Sequence, residues 1–134
     1  MSEDVPDGFE PLALNCGYND GFGPAYVNLA EHKIGFRVGP QHLNPVGGCH
    51  GGAMATFADM QISAVGPEAY DAHRATISLT VEYLAPVEPG AWVEAEVVCP
   101  KATRTLVFTQ AIITADGEPV ARTSGIYRNA SKTP

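Results

Sequence analysis

The sequence predicts an α+β domain in which a curved antiparallel sheet of about six strands wraps around one long central helix. Three observations carry this expectation. From position 51 to position 67 the only formally charged residue is Asp59, so one apolar helix is available as a core element. From position 74 the hydrophobic period becomes two: Ala75, Ile77, Leu79, Val81 and Tyr83 alternate with Thr76, Ser78, Thr80 and Glu82. The segments that follow are joined by short turns, as antiparallel neighbours are. A sheet that broad must bury an apolar face, and the helix is the element at hand to fill it.

In chain order, residues 1–24 are rich in Gly, Pro, Asn and Asp and read as a tail with one short turn around 11–16. One domain is expected over 25–129, followed by a tail at 130–134. Segments 25–29 and 33–38 carry Tyr, Val, Ile and Phe around Ala30-Glu31-His32 and read as a hairpin that Gly39-Pro40 closes. A glycine-rich turn leads into the helix at 51–65, for which Gly66-Pro67 is a C-terminal stop. After the strand that starts at Arg74, a turn at 86–90 precedes strands at 92–98, 105–114 and 120–127, with Asp116-Gly117 as the tightest hairpin. These four strands are expected to form a meander that the early hairpin extends.

Composition excludes several classes of function. With 134 residues the chain fits a single core. Eight basic and 15 acidic residues give 8 − 15 = −7, which argues against nucleic acid or an anionic membrane as the main partner. The acidic N-terminus has no secretory pattern, and no run is long and apolar enough to span a bilayer. Cys16, Cys49 and Cys99 are odd in number and lack paired spacing, which fits reduced thiols in a cytoplasm. His32, His42, His50 and His73 have no ligand spacing, so no metal is expected.

The unusual residues gather between His42 and Asp59. Gly51-Gly52 open the helix without a Cβ, so an oxygen of a ligand can approach a free backbone N–H there. Asp59 shares its helical face with Gly52, Ala55, Thr56 and Ser63, with Ile62 at the edge. Solvated faces normally carry Lys, Glu and Arg. Small residues around one acid suit the approach of a ligand or a second chain.

Asn44-Pro45, His50-Gly51-Gly52, Ala58-Asp59, the run Thr76-Ile77-Ser78-Leu79-Thr80-Val81-Glu82-Tyr83-Leu84-Ala85-Pro86, and Gly117-Glu118-Pro119-Val120-Ala121-Arg122 fall in order along the chain. In this pattern the sequence resembles hotdog-fold acyl-CoA thioesterases of the phenylacetic-acid-pathway (PaaI-like) type. The resemblance implies that the Gly51 N–H polarises the thioester carbonyl and that Asn44 helps bind the carbonyl or the water. It implies that Asp59 acts as general base or nucleophile, assisted by Thr76. His50 and Gly52 belong to the substrate-binding motif, where His50 is expected to fix the loop. No cofactor is implied, coenzyme A being part of the substrate. Lys101 and Arg104, in a turn between strands, are candidates for the coenzyme A phosphates, as is Arg74 after the helix.

Hydrolysis needs charge stabilisation at the carbonyl oxygen and an activated attacking oxygen. Eight helical residues span about 12 Å, so an oxygen held beyond Gly51 is out of reach of Asp59 in the same chain. A homodimer is therefore expected, with Gly51 and Asn44 of one subunit facing Asp59 and Thr76 of the other. Pairing of such dimers into a tetramer is implied by the resemblance. The rival enzymatic reading is a hotdog dehydratase or hydratase with His42 as base and Asp59 as acid. In that class the acid lies nearer the helix start. A non-catalytic acyl-CoA binding module would need no acid at position 59. Cys49 beside His50 reads as structural, because adjacent residues seldom bring their side chains together.

Overall fold

The computed structural model describes residues 4–12, 17–65 and 75–129. Its elements are β1 (Glu10–Pro11), α1 (Gly17–Phe22), β2 (Tyr26–Asn28), β3 (Lys33–Arg37), α2 (Gly51–Ala58), β4 (Thr76–Tyr83), β5 (Trp92–Ala102), β6 (Leu106–Ala115) and β7 (Glu118–Arg128). The strands form one antiparallel sheet of seven, in the order β1-β2-β3-β5-β6-β7-β4. The seventh strand is β1, which pairs Glu10 with Val27 and Pro11 with Tyr26 inside the segment expected to be a tail. That segment also carries α1, whose Phe22 is buried against Phe36 and His42.

The expected four-strand meander is corrected. β5, β6 and β7 do run as consecutive neighbours, but β4 pairs with β7 and not with β5. The reason is the helix: the chain leaves β3, crosses the sheet through α2 and returns at the opposite edge. Residues Trp92 to Glu96 of β5 are thereby left to pair with β3. The β6–β7 turn is as expected, with Asp116 at φ 47° and Gly117 at φ 89°, the two left-handed residues of a tight hairpin.

The helix is also shorter than its pattern. The α-helical part stops at Ala58, and Asp59–Ala64 continue as a 3₁₀ turn. Gly66-Pro67, the expected stop, and Arg74 lie outside the described residues. Met54, Phe57, Ala58, Met60 and Ala64 of this segment are buried, and with Ile34, Phe36, Val93, Ile113 and Ala121 of the sheet they form the core. Phe57 and Phe36 meet with ring centroids 4.8 Å apart.

Contrary to simple alternation, β4 is mostly exposed: only Leu79 and Val81 are partly buried, while Ile77 and Tyr83 are 55% and 53% accessible. β4 is an outer strand of the sheet, so among the described residues one of its flanks has no partner. A bulge between Thr76 and Ser78 shifts the register, so Thr76 turns to the helix side and Ile77 outward.

His42 packs among Phe22 and Phe36 and is 2% accessible. Its Nδ1 accepts the Gly39 N–H at 2.9 Å and its Nε2 lies 2.7 Å from the Phe22 carbonyl oxygen. The ring is therefore the neutral Nε2–H form, and burial holds its pKa below the usual 6.5. Protonation favours the unfolded chain, so this stability is whole above pH 6.5 and is lost as pH falls from there toward the lower folded value. Thermal melts between pH 7.5 and 5 are expected to show Tm falling with pH, with a smaller slope in His42→Gln.

Candidate active site

The turn before α2 folds back on itself. Asn44 N–H donates to the Gly48 oxygen at 2.7 Å and His50 N–H to the His42 oxygen at 2.6 Å, while Leu43 bridges to Cys49. Asn44 Oδ1 accepts from the N–H groups of Val46 and Gly48 at 3.0 and 3.1 Å, an Asx turn that Gly47 completes at φ 95°. The loop thus uses the Asn44 oxygen; among the described residues its NH₂ end meets no acceptor.

His50 is the N-cap of α2, and its Nδ1 accepts the Gly52 N–H at 2.8 Å. A Cβ at position 52 would sit 3.0 Å from that nitrogen, so glycine leaves room for the ring. His50 and Gly52 therefore act on the helix end itself. The cap consumes the Gly52 donor; among the described residues, no acceptor meets the Gly51 N–H. Tyr83 Oη donates to the Gly51 oxygen at 2.6 Å and ties the turn to β4. Asn44, Gly48, Gly51, Met54 and Tyr83 line one cavity of about 590 Å³.

Asp59 sits at the other end of α2, as its C-cap. A carboxylate there faces the negative end of the helix dipole, at a cost of about 0.3–1 kcal/mol. Two hydroxyls answer it. Thr76 Oγ1 donates to Asp59 Oδ1 at 2.8 Å, and Tyr127 Oη lies 3.3 Å from the same oxygen and 3.3 Å from the Asp59 backbone oxygen, so its one proton bridges the two. Burial, then the neighbouring Asp59 charge, push the Tyr127 pKa far above the tyrosine range, so the phenol keeps its proton. Asp59 opens on a second cavity of about 400 Å³ with Ala55, Thr56, Ser63 and Leu79, and with Tyr18 of α1. Of the small face expected around the acid, Ala55, Thr56, Ser63 and Ile62 belong to this wall and Gly52 does not. Met60 joins it because the 3₁₀ turn advances more per residue than an α-helix.

The structure thus brings Asp59 to Thr76, and Asn44 to Gly51, but Asp59 lines one cavity and Asn44 and Gly51 line the other. Lys101 lies within β5 and not in the turn expected for it; Arg104 is in the turn. Neither lines either cavity. Both lie at the sheet end where β4 begins, since Leu106 pairs with Arg128 and Tyr127 with Thr76.

Two tyrosines of the site were not legible in the sequence. Tyr127 becomes a neighbour of Thr76 only once β4 is known to pair with β7, and Tyr83 reaches Gly51 only across the fold. His42 is not available as a base, because the backbone occupies both ring nitrogens. Burial pushes the Cys49 thiol up to about 11, which makes it a poor nucleophile. Among the described residues, no three His, Cys, Asp or Glu side chains gather as a metal ion would require. No helix there is long and apolar enough to cross a membrane.

Residues 46–121 match the family model of the thioesterase superfamily. Over 132 residues, 92% of this chain and 96% of the relative, the sequence is 26% identical to a Pseudomonas aeruginosa protein whose name marks it as a candidate esterase. The fold is similar to that of a variant of the phenylacetic acid degradation protein PaaI from Thermus thermophilus, with a TM-score of 0.63, 23% identity and coverage of 91% and 93% of the two chains. It is similar also to a hypothetical thioesterase of Streptococcus pneumoniae solved with coenzyme A, with a TM-score of 0.67, 20% identity and coverage of 96% and 93%. At these identities the two structures speak to fold alone.

Proposed function

Because the chain belongs to the thioesterase superfamily, and so is a thioester hydrolase, we propose that it cleaves acyl-CoA at a site built jointly by two copies. One observation carries the shared site: in a single chain the free Gly51 N–H and the Asp59 carboxylate open on separate cavities. In the proposed dimer the thioester carbonyl oxygen accepts the Gly51 N–H of one protomer, with the Asn44 amide beside it. Asp59 of the other takes a proton from water as that water attacks the carbonyl carbon. Negative charge collects on the carbonyl oxygen, where a fixed donor at a helix N-terminus stabilises it most. Collapse expels the sulfur, which takes the proton from Asp59, and free acid and coenzyme A leave. The water, the thioester and the two products balance.

Support for the second copy comes from β4. It is the outer strand of the sheet and carries Ile77 and Tyr83, with Leu84 just beyond, all more than half exposed. An unpaired strand with apolar side chains is a surface that another chain covers. Coenzyme A as the carrier is supported by the fold shared with the coenzyme A-bound Streptococcus pneumoniae protein. Lys101 and Arg104, at the end of the sheet where β4 starts, are the cations assigned to its phosphates.

Hybrid dimers test the shared site. Asp59→Asn and Gly51→Pro are each expected to be inactive alone. In a one-to-one mixture, about half of the dimers are hybrids and each hybrid carries one intact site, so roughly a quarter of wild-type activity should return. Thiol release from a panel of acyl-CoAs measures it. A mixture as inactive as its components would place both groups in one chain's site and end the proposal.

A further inference from the structure

Tyr127 and Thr76 are cross-strand partners, and the bulge after Thr76 turns both side chains to the same carboxylate. The Tyr127 ring can reach Asp59 only because position 125 is glycine. A Cβ there would lie 2.7 Å from Tyr127 Cε1 and 3.0 Å from Oη, closer than packed carbon atoms come. Gly125 is buried in the middle of β7 and pairs with Leu79 and Thr109, so its lack of a side chain serves no turn. The phenol is 1% accessible. Behind it the Gln61 amide is fully buried; it donates to Thr123 Oγ1 at 3.2 Å, and Thr123 in turn donates to the Thr80 oxygen at 2.8 Å.

We propose that Tyr127, seated over Gly125, is a positioning residue that shares Asp59 Oδ1 with Thr76 and leaves Oδ2 as the oxygen that acts on water. With Thr76 on Oδ1 and the Tyr127 hydroxyl bridging Oδ1 and the Asp59 backbone oxygen, the carboxylate is tied to its own main chain in one rotational setting, and Oδ2 is left for the cavity. Tyr127 touches no reacting atom; its effect passes through Asp59. The inference rests on the thioesterase reading for its kinetic consequence, while the contact itself does not.

Two measurements on Tyr127→Phe test it, the first without substrate. The carboxyl ¹³C resonance of Asp59, identified by its disappearance in Asp59→Asn, is expected to move at pH 8. In hydrolysis, kcat is expected to fall roughly tenfold or more, as for loss of a hydrogen bond to a charged group, with KM within about twofold of wild type. A ring that only filled space would move neither, because Phe fills the same volume. Gly125→Ala, which displaces the ring, should shift the resonance and lower kcat in the same direction. An unmoved resonance or a wild-type kcat in folded Tyr127→Phe overturns the proposal. Failure of the wild-type protein to cleave any acyl-CoA would instead overturn the thioesterase reading, and the resonance would still decide the contact.

Discussion

Asp59→Asn is expected to lower kcat for thioester hydrolysis by about 10²–10⁴-fold, the usual cost of removing a positioned base. The fold should be untouched, because the Asn oxygen can still accept the Thr76 and Tyr127 hydroxyls that now reach Asp59 Oδ1 at 2.8 and 3.3 Å. Tm should stay level or rise. The carboxylate sits at the negative end of α2, so neutralising it removes an unfavourable interaction of about 0.3–1 kcal/mol. Loss of rate with unchanged or higher stability is what a residue kept for chemistry gives. Stopped-flow thiol release beside a thermal melt checks both halves, and an active variant would remove Asp59 from the reaction. Single turnover of the wild type in ¹⁸O water should label the product acid alone, as base-activated water requires.

The second large effect is at Gly51. Proline there removes the N–H that the proposed site gives to the thioester oxygen, and a proline is tolerated at the first position of a helix. The residue before it must be extended, and His50 already is, at φ −65° and ψ 136°. A Cβ at position 51 meets Tyr83 at 3.5 Å, an ordinary contact. Gly51→Pro is thus expected to keep the helix and lose about 10²–10³-fold in kcat, as oxyanion donors do. Gly51→Ala keeps the N–H and should retain most of the rate. Equal losses in the two variants would mean that space, and not the donor, matters at this position.

Much of this site is local and therefore legible in the sequence. Gly51, the cap at His50 and the small face around Asp59 lie within one turn-and-helix unit, where spacing fixes geometry. The period-two runs gave strands close to β5, β6 and β7, with boundaries off by a few residues at their ends. What was not legible depends on which strands become neighbours. Alternation put Thr76 on the face opposite Leu79; a one-residue bulge, invisible in the residue pattern, reverses it. The end of α2 at Ala58 was likewise hidden, since the apolar pattern from Met60 to Ala64 suits a 3₁₀ turn as well as an α-helix. β1 escaped because two residues carry no period at all.

The bare flank of β4 bears on the life of a newly made copy. Among the described residues no strand covers that rim, and a row of unanswered peptide groups beside Ile77 and Tyr83 offers any extended segment a template to stack on. If two copies build the site as proposed, quick pairing is as much a guard against clumping as a step in assembling the machinery.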